Sequence, residues 1–450
     1  MKIPKTIKIK KCRLCKNKKL KQIYNFGNHY VSNFVNKASI NRGIKAPLNL
    51  VYCKKCHLLQ LEHSAPQEIM YKKFYWYKSG ITKTMRDGLK ELYQDIKKKC
   101  KIKPGDVVLD IGANDGTLLK YFKKDRIITI GCEPANNLKD ELKKNCNIKA
   151  GDVILDIGAN DGTFLKYFKK DKIITIGCEP ANNLKNELKR NCHYMINNFW
   201  HTKHLKKIPA KHRKLKVVSA IGMFYDLEDP SKFIKHAADA LDDDGIFVAQ
   251  LMCSHSMFKT NDLGNICHEH LEYYSYNSLK YLFEKNGLKI FKMSENKING
   301  GSYRIYCKKN LKTSIKYKEK ASYSEIIKFV KRVKKNKQRT VNFIKKNNKL
   351  GKKIFLYGAS TKGNTLLQYY GLTNKDIPYA AERTKTKWGK YTIGSGVKIL
   401  SEKDARKLKP DYFFVMPYGF INEFIKREKK WIKSGGRFIL PYPRFKIVNK

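Results

Sequence analysis

The chain has 450 residues, 42% of them hydrophobic, which is enough for two or three domains with their own cores. No apolar run is long enough to cross a bilayer, and the charged N-terminus lacks the apolar segment of a signal peptide, so we expect a cytoplasmic protein. The formal net charge is +56, but only 14 of the 95 basic residues are Arg, and the lysines are spread along the whole chain. This argues against a base-reading nucleic-acid surface and favours an anionic small substrate.

Residues 1–75 contain two pairs of cysteines with the same spacing, Cys12 with Cys15 and Cys53 with Cys56. Two such pairs supply four thiolates in the tetrahedral arrangement that structural zinc prefers. A single pair would equally suit redox chemistry, but the presence of two favours a metal. We therefore predict a structural zinc module over residues 1–75, without a catalytic role for the metal.

A helix is predicted over residues 81–99, and an internal repeat follows it. Residues 101–146 and 147–192 match with seven differences, and each copy has the pattern strand, Gly turn, helix, strand, helix. This is the first half of a doubly wound α/β sheet. We predict one α/β domain over residues 76–310 that includes both copies.

The alternation of strands and helices continues downstream, with an amphipathic, Lys-rich pattern over residues 322–348. We interpret that pattern as a solvated linker helix within residues 311–350, followed by a C-terminal α/β domain over residues 351–450. The other predicted elements are strands over 216–221, 246–250, 288–292, 353–358, 412–416 and 437–440, an edge strand over 303–307, and helices over 231–241, 277–286 and 365–370.

Each copy of the repeat contains LDIGANDGT, an acidic residue at the end of a strand followed by a Gly turn. The turn lacks the GxGxxG spacing of dinucleotide sites, and its carboxylate suits the ammonium group of S-adenosylmethionine. A second acid, at the end of the next strand, can accept from the ribose hydroxyls. One sheet has one first strand, and we favour copy two because it keeps the next strands consecutive. The predicted donor-site residues are Asp156, Gly158, Asn160, Asp161 and Glu179, and their counterparts in copy one include Asp110, Gly112, Asp115 and Glu133.

Two further motifs carry chemistry. The sequence His268-Glu269-His270 offers a base beside a carboxylate, and an ordinary imidazole pKa near neutrality suits proton abstraction. The alternative is a metal-ligand pair or a helix cap. Gly358 begins a GASTKG turn between a strand and a helix, which predicts either a phosphate cradle with Lys362 as its charge partner or a purely structural turn.

The motifs CRLC, YCKKCHLLQ, LDIGANDGT, GCEPANN, MFYDLEDP, ICHEHLEYYS, NGGSYRIY and YGASTKGNT resemble, in this order, those of the sugar C-methyltransferase family. The resemblance covers nearly the whole chain. It implies an N-terminal zinc-binding domain, a class I S-adenosylmethionine-dependent methyltransferase domain and a C-terminal Rossmann-like domain. The implied reaction methylates a carbon next to a ketone on a nucleotide-linked deoxysugar.

The resemblance also implies roles for individual residues. His270 would be the base, with Glu269 orienting the sugar or polarising the histidine, in a catalytic group that also includes His268 and Tyr77. Ser79 would lie near the methyl donor, and the residues near the nucleotide sugar would be Tyr225, Gly358 and Lys362. This chain has Cys267 where better-known members carry Tyr, and its residues 221–225 lack an Asn-x-x-x-His pattern.

The two departures fall near the expected sugar pocket and leave the sugar, the nucleotide and methylation on O or N open. Two rival functions remain at this point. One is a nucleic-acid-binding or RNA-modifying protein, for which the zinc module and the charge of +56 would be the features. The other is an inactive scaffold whose sheet is disrupted by the duplication. We expect a monomer.

Overall fold

The computed structural model describes residues 6–66, 70, 83–104, 106–111, 117–125, 127–132, 153–157, 174–178, 186, 189–190, 194–196, 215–221, 224–296, 301–416 and 420–448. Within these ranges, no helix is both long enough and apolar enough to span a membrane. Buried side chains from the N-terminal, central and C-terminal segments form one continuous hydrophobic cluster that reaches from Cys12 to Tyr442. The three segments therefore share a core.

The N-terminal segment is built on an antiparallel sheet that includes a strand from the central segment. The sheet order is β14-β5-β4-β2, and the residues of β5 pair with those of β14. The zinc module therefore does not close on itself, as a free-standing zinc ribbon would. Its strands are β1 (Ile7–Lys8), β2 (Lys21–Tyr30), β3 (Phe34–Val35), β4 (Lys45–Tyr52), β5 (Leu59–Leu61) and β6 (His63–Ser64), and β14 spans Glu272–Tyr273.

The central segment has a six-stranded sheet with the order β15-β16-β13-β12-β7-β8. The strands β8, β7, β12 and β13 are parallel, whereas β16 and β15 are antiparallel to their neighbours. The prediction of an edge strand over residues 303–307 was wrong, because β16 lies between β13 and β15 and is buried. The elements are α1 (Lys83–Cys100), β7 (Val107–Ile111), α2 (Leu119–Lys123), β8 (Ile128–Cys132), β12 (Leu215–Ile221), α3 (Pro230–Ala240), β13 (Leu241–Met252), α4 (Ser254–Thr260), α5 (Tyr276–Lys285), β15 (Lys289–Asn296) and β16 (Ser302–Lys308).

The two copies of the repeat take different places. Copy one supplies β7 and β8 of the six-stranded sheet. Copy two supplies β9 (Val153–Ile157) and β10 (Ile174–Cys178), which form a separate parallel sheet with β11 (Tyr194–Ile196). Strand β9 lies beside β8, with Cα atoms of the two strands within 8 Å of one another. The duplication therefore adds a second small sheet beside β8.

The C-terminal segment begins with α6 (Tyr323–Lys349), whose apolar face is buried. The prediction of a solvated linker helix was wrong, since Ile326, Phe329, Val333 and Ile344 are at most 2% exposed and belong to the shared core. The lysines occupy the opposite face, as the helical period requires. A high lysine content therefore described only the exposed face of this helix and did not exclude a buried face.

An eight-stranded sheet completes the C-terminal segment, with the order β23-β22-β21-β17-β18-β20-β19-β3. Its last strand comes from the N-terminal segment, because β19 pairs with β3. The elements are β17 (Ile354–Tyr357), α7 (Thr361–Tyr370), β18 (Tyr379–Glu382), β19 (Tyr391–Thr392), β20 (Lys398–Ser401), α8 (Glu402–Lys407), β21 (Tyr412–Val415), α9 (Ile421–Arg427), α10 (Lys429–Lys433), β22 (Arg437–Leu440) and β23 (Lys446–Val448).

Candidate active site and zinc site

The four predicted zinc ligands lie together. The sulfur atoms of Cys12 and Cys56 are 3.6 Å apart and those of Cys15 and Cys53 are 3.5 Å apart. A tetrahedral site with thiolate ligands places neighbouring sulfurs roughly 3.8 Å apart, so the four side chains fit a zinc ion. All four lie in one cluster of possible metal ligands. The hydrogen bond between Cys12 and Cys56 lowers the pKa of the Cys12 thiol and raises that of Cys56, so in the absence of metal the pair readily holds one thiolate.

Contacts around the cysteines connect the zinc site to the central segment. The Gln60 amide donates to Cys12 Sγ over 3.2 Å. Arg13, 3% exposed, donates to the Leu61 carbonyl and forms an ion pair with Glu272 at 3.8 Å. Glu272 belongs to β14, two residues after His270. The zinc site therefore supports the segment that carries the candidate base.

His270 lies in a buried loop between a short 3-10 turn, Leu263–Asn265, and β14. Its Nδ1 is 2.8 Å from the carbonyl oxygen of Asn265. Because a carbonyl only accepts, Nδ1 carries the proton and Nε2 carries the lone pair. The Tyr225 ring lies edge-on to the imidazole with the ring centroids 4.6 Å apart.

His268 points into the N-terminal segment instead. Its Nε2 donates to the Ala46 carbonyl of β4 over 2.9 Å, and the side chain is 2% exposed. This contact suits a positioning role, in which His268 fixes the loop against β4. Glu269, the third member of the motif, is 9% exposed, and burial raises the pKa of its carboxyl group.

Lys362, from the start of α7, contacts the 3-10 turn before this loop. Its Nζ donates to Asn265 Oδ1 over 2.7 Å, and Asn265 Nδ2 donates to Asp262 Oδ2 over 3.0 Å. Burial raises the pKa of Asp262 to about 6, although Lys362 opposes that shift. Burial, together with the positive charge of Lys362, holds the pKa of His270 well below its usual value. Burial of the loop therefore makes this imidazole a weaker base than an exposed histidine.

The backbone N–H groups of the turn before α7 donate hydrogen bonds to acceptors within the protein. The Gly358 N–H donates to the Ala381 carbonyl, the Ala359 N–H to Glu382 and the Gly363 N–H to Ser360 Oγ, over 2.8–2.9 Å. Gly358 has a φ of +83°, which a residue with a Cβ rarely adopts. These bonds, and a carboxylate beside the turn, favour the structural alternative over the phosphate cradle.

Copy one, not copy two, contributes the strand beside β12. Strand β7, which contains Asp110, pairs with β12 on one side and β8 on the other, so the order of parallel strands reverses between β7 and β12. Open α/β sheets bind ligands outside the carboxyl ends of the strands at such a reversal. Asp156 lies on β9, which pairs only with β10 in the described strands. The pairing therefore favours copy one, against the preference drawn from the sequence.

The predicted catalytic residue Tyr77 and the other predicted donor-site residues lie outside the described residues. These are Tyr77, Ser79, Gly158, Asn160, Asp161 and Glu179, together with Gly112, Asp115 and Glu133 of copy one.

Comparison with known proteins gives three family matches in chain order. A zinc binding domain model matches residues 12–71, a methyltransferase domain model matches residues 135–292 and a C-methyltransferase C-terminal domain model matches residues 297–443. The chain therefore has a zinc-binding domain, a methyltransferase domain and a C-methyltransferase C-terminal domain, in this order. It is an S-adenosylmethionine-dependent methyltransferase with a class I sheet, and it has a zinc-binding domain whose four cysteines fit the metal.

Individual relatives are distant. This C-methyltransferase is 22% identical to the C-methyltransferase NovU of Streptomyces niveus over 98% of this chain and 97% of that protein. Among solved structures, it is similar to magnesium protoporphyrin IX methyltransferase of Synechocystis PCC 6803, at 11% identity over 50% of this chain and 83% of that chain, with a TM-score of 0.31. A methyltransferase from Aquifex aeolicus matches at 14% identity over 49% and 97% of the chains, with a TM-score of 0.30.

The methyltransferase domain match and the strand pairing point to different copies. The match begins at residue 135, near the end of copy one, and includes all of copy two. A linear match takes the copy that is contiguous with the downstream sequence, whereas hydrogen bonds identify the strand that lies beside β12. The ligand crevice of such a sheet lies between two neighbouring strands, so the pairing of β7 with β12 favours copy one.

Sequence reasoning missed two residues of this C-methyltransferase that organise the loop. The Asn265 carbonyl accepts from His270 Nδ1, and its Oδ1 accepts from Lys362 Nζ. Asp262 in turn accepts from Asn265 Nδ2. Asp262 and Asn265 stand in an ordinary NDLGN stretch with no chemical motif. Their partner Lys362 is 97 residues downstream of Asn265, so only the fold reveals the connection.

Both buried histidines should remain neutral at physiological pH. Burial lowers the pKa of His268 to about 4, although its hydrogen bond with Ala46 opposes the shift. In protein labelled with carbon-13 at histidine, we expect the His268 signal to titrate near pH 4 and the His270 signal to remain constant through the pH range in which an ordinary imidazole titrates. Loss of one signal in His268→Gln and in His270→Gln assigns each resonance. Titration of either near the ordinary value of 6.5 would contradict the buried geometry.

Proposed function

We propose that this C-methyltransferase acts on a nucleotide-linked keto-deoxysugar, by removing a proton from the carbon next to the ketone and methylating the enolate. The observation that carries the proposal is the geometry of His270, a buried imidazole whose Nδ1 proton bonds the Asn265 carbonyl and whose Nε2 keeps its lone pair. Carbon methylation needs such a base, since a C–H bond next to a ketone must be broken first. S-adenosylmethionine supplies the electrophilic methyl group.

Three neighbours support the role of His270. The Asn265 carbonyl fixes the orientation of the ring, and Tyr225, from the 3-10 turn Phe224–Asp226 after β12, packs edge-on to it. Lys362 lies close enough to Asn265 to hold a positive charge near the loop. In a buried site, that charge would stabilise the developing enolate oxygen more strongly than it would in water. The same charge disfavours protonation of His270 before substrate binds.

The class of substrate is supported by charge. A nucleotide-linked sugar carries a diphosphate, and the net charge of +56 favours the approach of anions. Burial raises the pKa of Glu269, so its carboxyl group can carry a proton and orient a sugar hydroxyl through a hydrogen bond. A cytoplasmic location and a monomeric state remain predictions.

The test uses S-adenosylmethionine labelled with carbon-13 at the methyl group and a dTDP-linked 4-keto-deoxysugar. We expect a product whose labelled methyl is bonded to a ring carbon, identified by NMR carbon–carbon connectivity. Without the methyl donor, we expect exchange of the α-hydrogen with deuterium from the solvent. A methyl on oxygen or nitrogen, or methylation of RNA with no turnover of the sugar, would refute the proposal.

The strand order predicts which copy binds the donor. Asp110→Asn should weaken S-adenosylmethionine binding at least about tenfold, because a carboxylate at the β7–β12 reversal is replaced by a neutral amide. Asp156→Asn is the matched variant, at the equivalent position of β9, and should bind nearly as the parent protein does. Isothermal titration calorimetry on both variants measures the difference. Weakening confined to Asp156→Asn would assign the site to copy two.

A further inference from the structure

A second cluster of metal-ligating side chains lies at the carboxyl edge of the central sheet. Cys253 follows the last residue of β13, His255 is in α4 and Glu295 is near the end of β15. One ligand atom from each lies within 4.8 Å of the other two. None of the three belongs to the four-cysteine site or to the loop that carries His270.

The distances within this cluster fit a shared metal ion. His255 Nδ1 and Glu295 Oε2 are 3.4 Å apart, which is long for a hydrogen bond between a cation and a carboxylate. It is the separation, roughly 3.4 Å, of two ligands bound to one tetrahedral zinc ion. The Cys253 sulfur, which also accepts from the Ser256 N–H over 3.3 Å, lies within 4.8 Å of both other ligand atoms. The four-cysteine site of this chain likewise has ligand atoms at metal-like separations.

The two oxygens of Glu295 have separate partners. Tyr317 donates to Oε1, and Lys320 donates to the same oxygen over 3.2 Å. These bonds leave Oε2 directed at His255. Ligating carboxylates in metal sites are oriented in this way by hydrogen bonds to the oxygen that does not bind the metal.

His255 is the member of the cluster that lines a cavity of about 600 Å³, together with Lys320. The cavity is cationic, since its walls also include Lys259, Arg332, Arg444 and Lys446, with Glu325 as the one acid in the described lining.

Two of the wall residues have partners of their own. Glu325 forms an ion pair with Lys328 at 2.9 Å. Arg332 is held in place by hydrogen bonds to Asn261 Oδ1 and to the Phe258 carbonyl.

We propose that Cys253, His255 and Glu295 bind a divalent metal of the zinc class, with an open fourth position that faces the cationic cavity and accepts an anionic oxygen. Three protein ligands and one open position are the arrangement of zinc sites that bind exogenous ligands, whereas structural sites use four protein ligands. Binding replaces the thiol proton of Cys253, which leaves as H⁺ when the sulfur–metal bond forms. The surrounding cations favour a phosphate or carboxylate oxygen at the open position.

The test is a titration of the purified zinc-containing protein with Co²⁺. We expect one equivalent of Co²⁺ to bind in addition to the structural zinc, with the absorption of a tetrahedral ion and a thiolate-to-cobalt band. His255→Ala and Cys253→Ala should each weaken this binding more than tenfold, and Tyr317→Phe should weaken it about tenfold through the orientation of Glu295. Cys100→Ala, at a thiol outside both clusters, should leave it unchanged.

Zinc content of the four-cysteine site, measured on each variant, reports that the fold is retained. His255 is 22% exposed in its side chain, so its replacement does not open a core cavity. Addition of inorganic phosphate should shift the cobalt absorption. No Co²⁺ binding beyond the structural zinc, or unchanged binding in both ligand variants, would overturn the site, and a cobalt spectrum insensitive to phosphate would overturn the open position. The probes are cobalt and phosphate alone, so the result is independent of the proposed sugar substrate.

Discussion

His270→Gln is expected to lower the rate of methyl transfer by about 10²–10⁴-fold, because the proposed reaction begins with a proton transfer to this side chain. The glutamine amide is of similar size and can still donate to the Asn265 carbonyl, but it has no lone-pair nitrogen that can take a proton. Exchange of the sugar α-hydrogen with solvent deuterium should fall by a similar factor. Binding of S-adenosylmethionine should be nearly unchanged.

The matched variant is His268→Gln, two residues earlier in the same buried loop. His268 donates to the Ala46 carbonyl, and a glutamine amide can make the same bond, so we expect most of the activity to remain. Rapid-quench measurement of methyl transfer, together with NMR measurement of deuterium exchange, separates the two histidines. Full exchange in His270→Gln, or a larger loss in His268→Gln, would show that His270 is not the base.

The local pattern of the sequence was sufficient to predict most elements of the fold. Strand β12 and helix α3 lie within one residue of their predicted ranges, because alternation of buried positions and an Asp-Pro helix start are local signals. The four cysteines were also found from their spacing, and they come together although the pairs are 38 or more residues apart. Spacing within each pair fixes a local turn, and the metal chemistry requires the two turns to meet.

What the sequence did not determine was which partner each element meets. The burial of α6 depends on neighbours from the shared core, and the inner position of β16 depends on β15 closing the sheet. The two copies of the repeat are nearly identical, so no local property can distinguish β7 from β9. Their difference arises only from the hydrogen bonds that β7 makes with β12.

The active-site loop illustrates the same point in terms of charge. The sequence indicated a base and a lysine, in His270 and Lys362, but assigned the lysine to a phosphate in another domain. In the structure, the lysine reaches the loop through Asn265 and, with burial, lowers the pKa of His270. A protonation state depends on the surroundings of the whole fold, so motif spacing could not supply it.

Loss of zinc from the four-cysteine site should be the most damaging change to the N-terminal segment. Zinc in such sites contributes about 10–16 kcal/mol of apparent folding free energy, so Cys56→Ser should unfold the surrounding turns. The variant should contain one equivalent of zinc less per chain, and its melting temperature should fall. Cys100→Ser, at a buried thiol outside the metal site, is the matched control and should keep its zinc.

The effect should extend to catalysis, although no cysteine of the site touches the candidate base. Arg13, between Cys12 and Cys15, is buried against Glu272 of β14. Strand β14 begins immediately after the loop of His270 and pairs with β5. Without the metal, Arg13 loses its fixed position, and its positive charge no longer opposes the burial that raises the pKa of Glu272 in β14. We therefore expect Cys56→Ser to lose methyl transfer together with zinc, measured on the same sample. Retention of full activity in a zinc-depleted Cys56→Ser protein would show that the module does not support the loop.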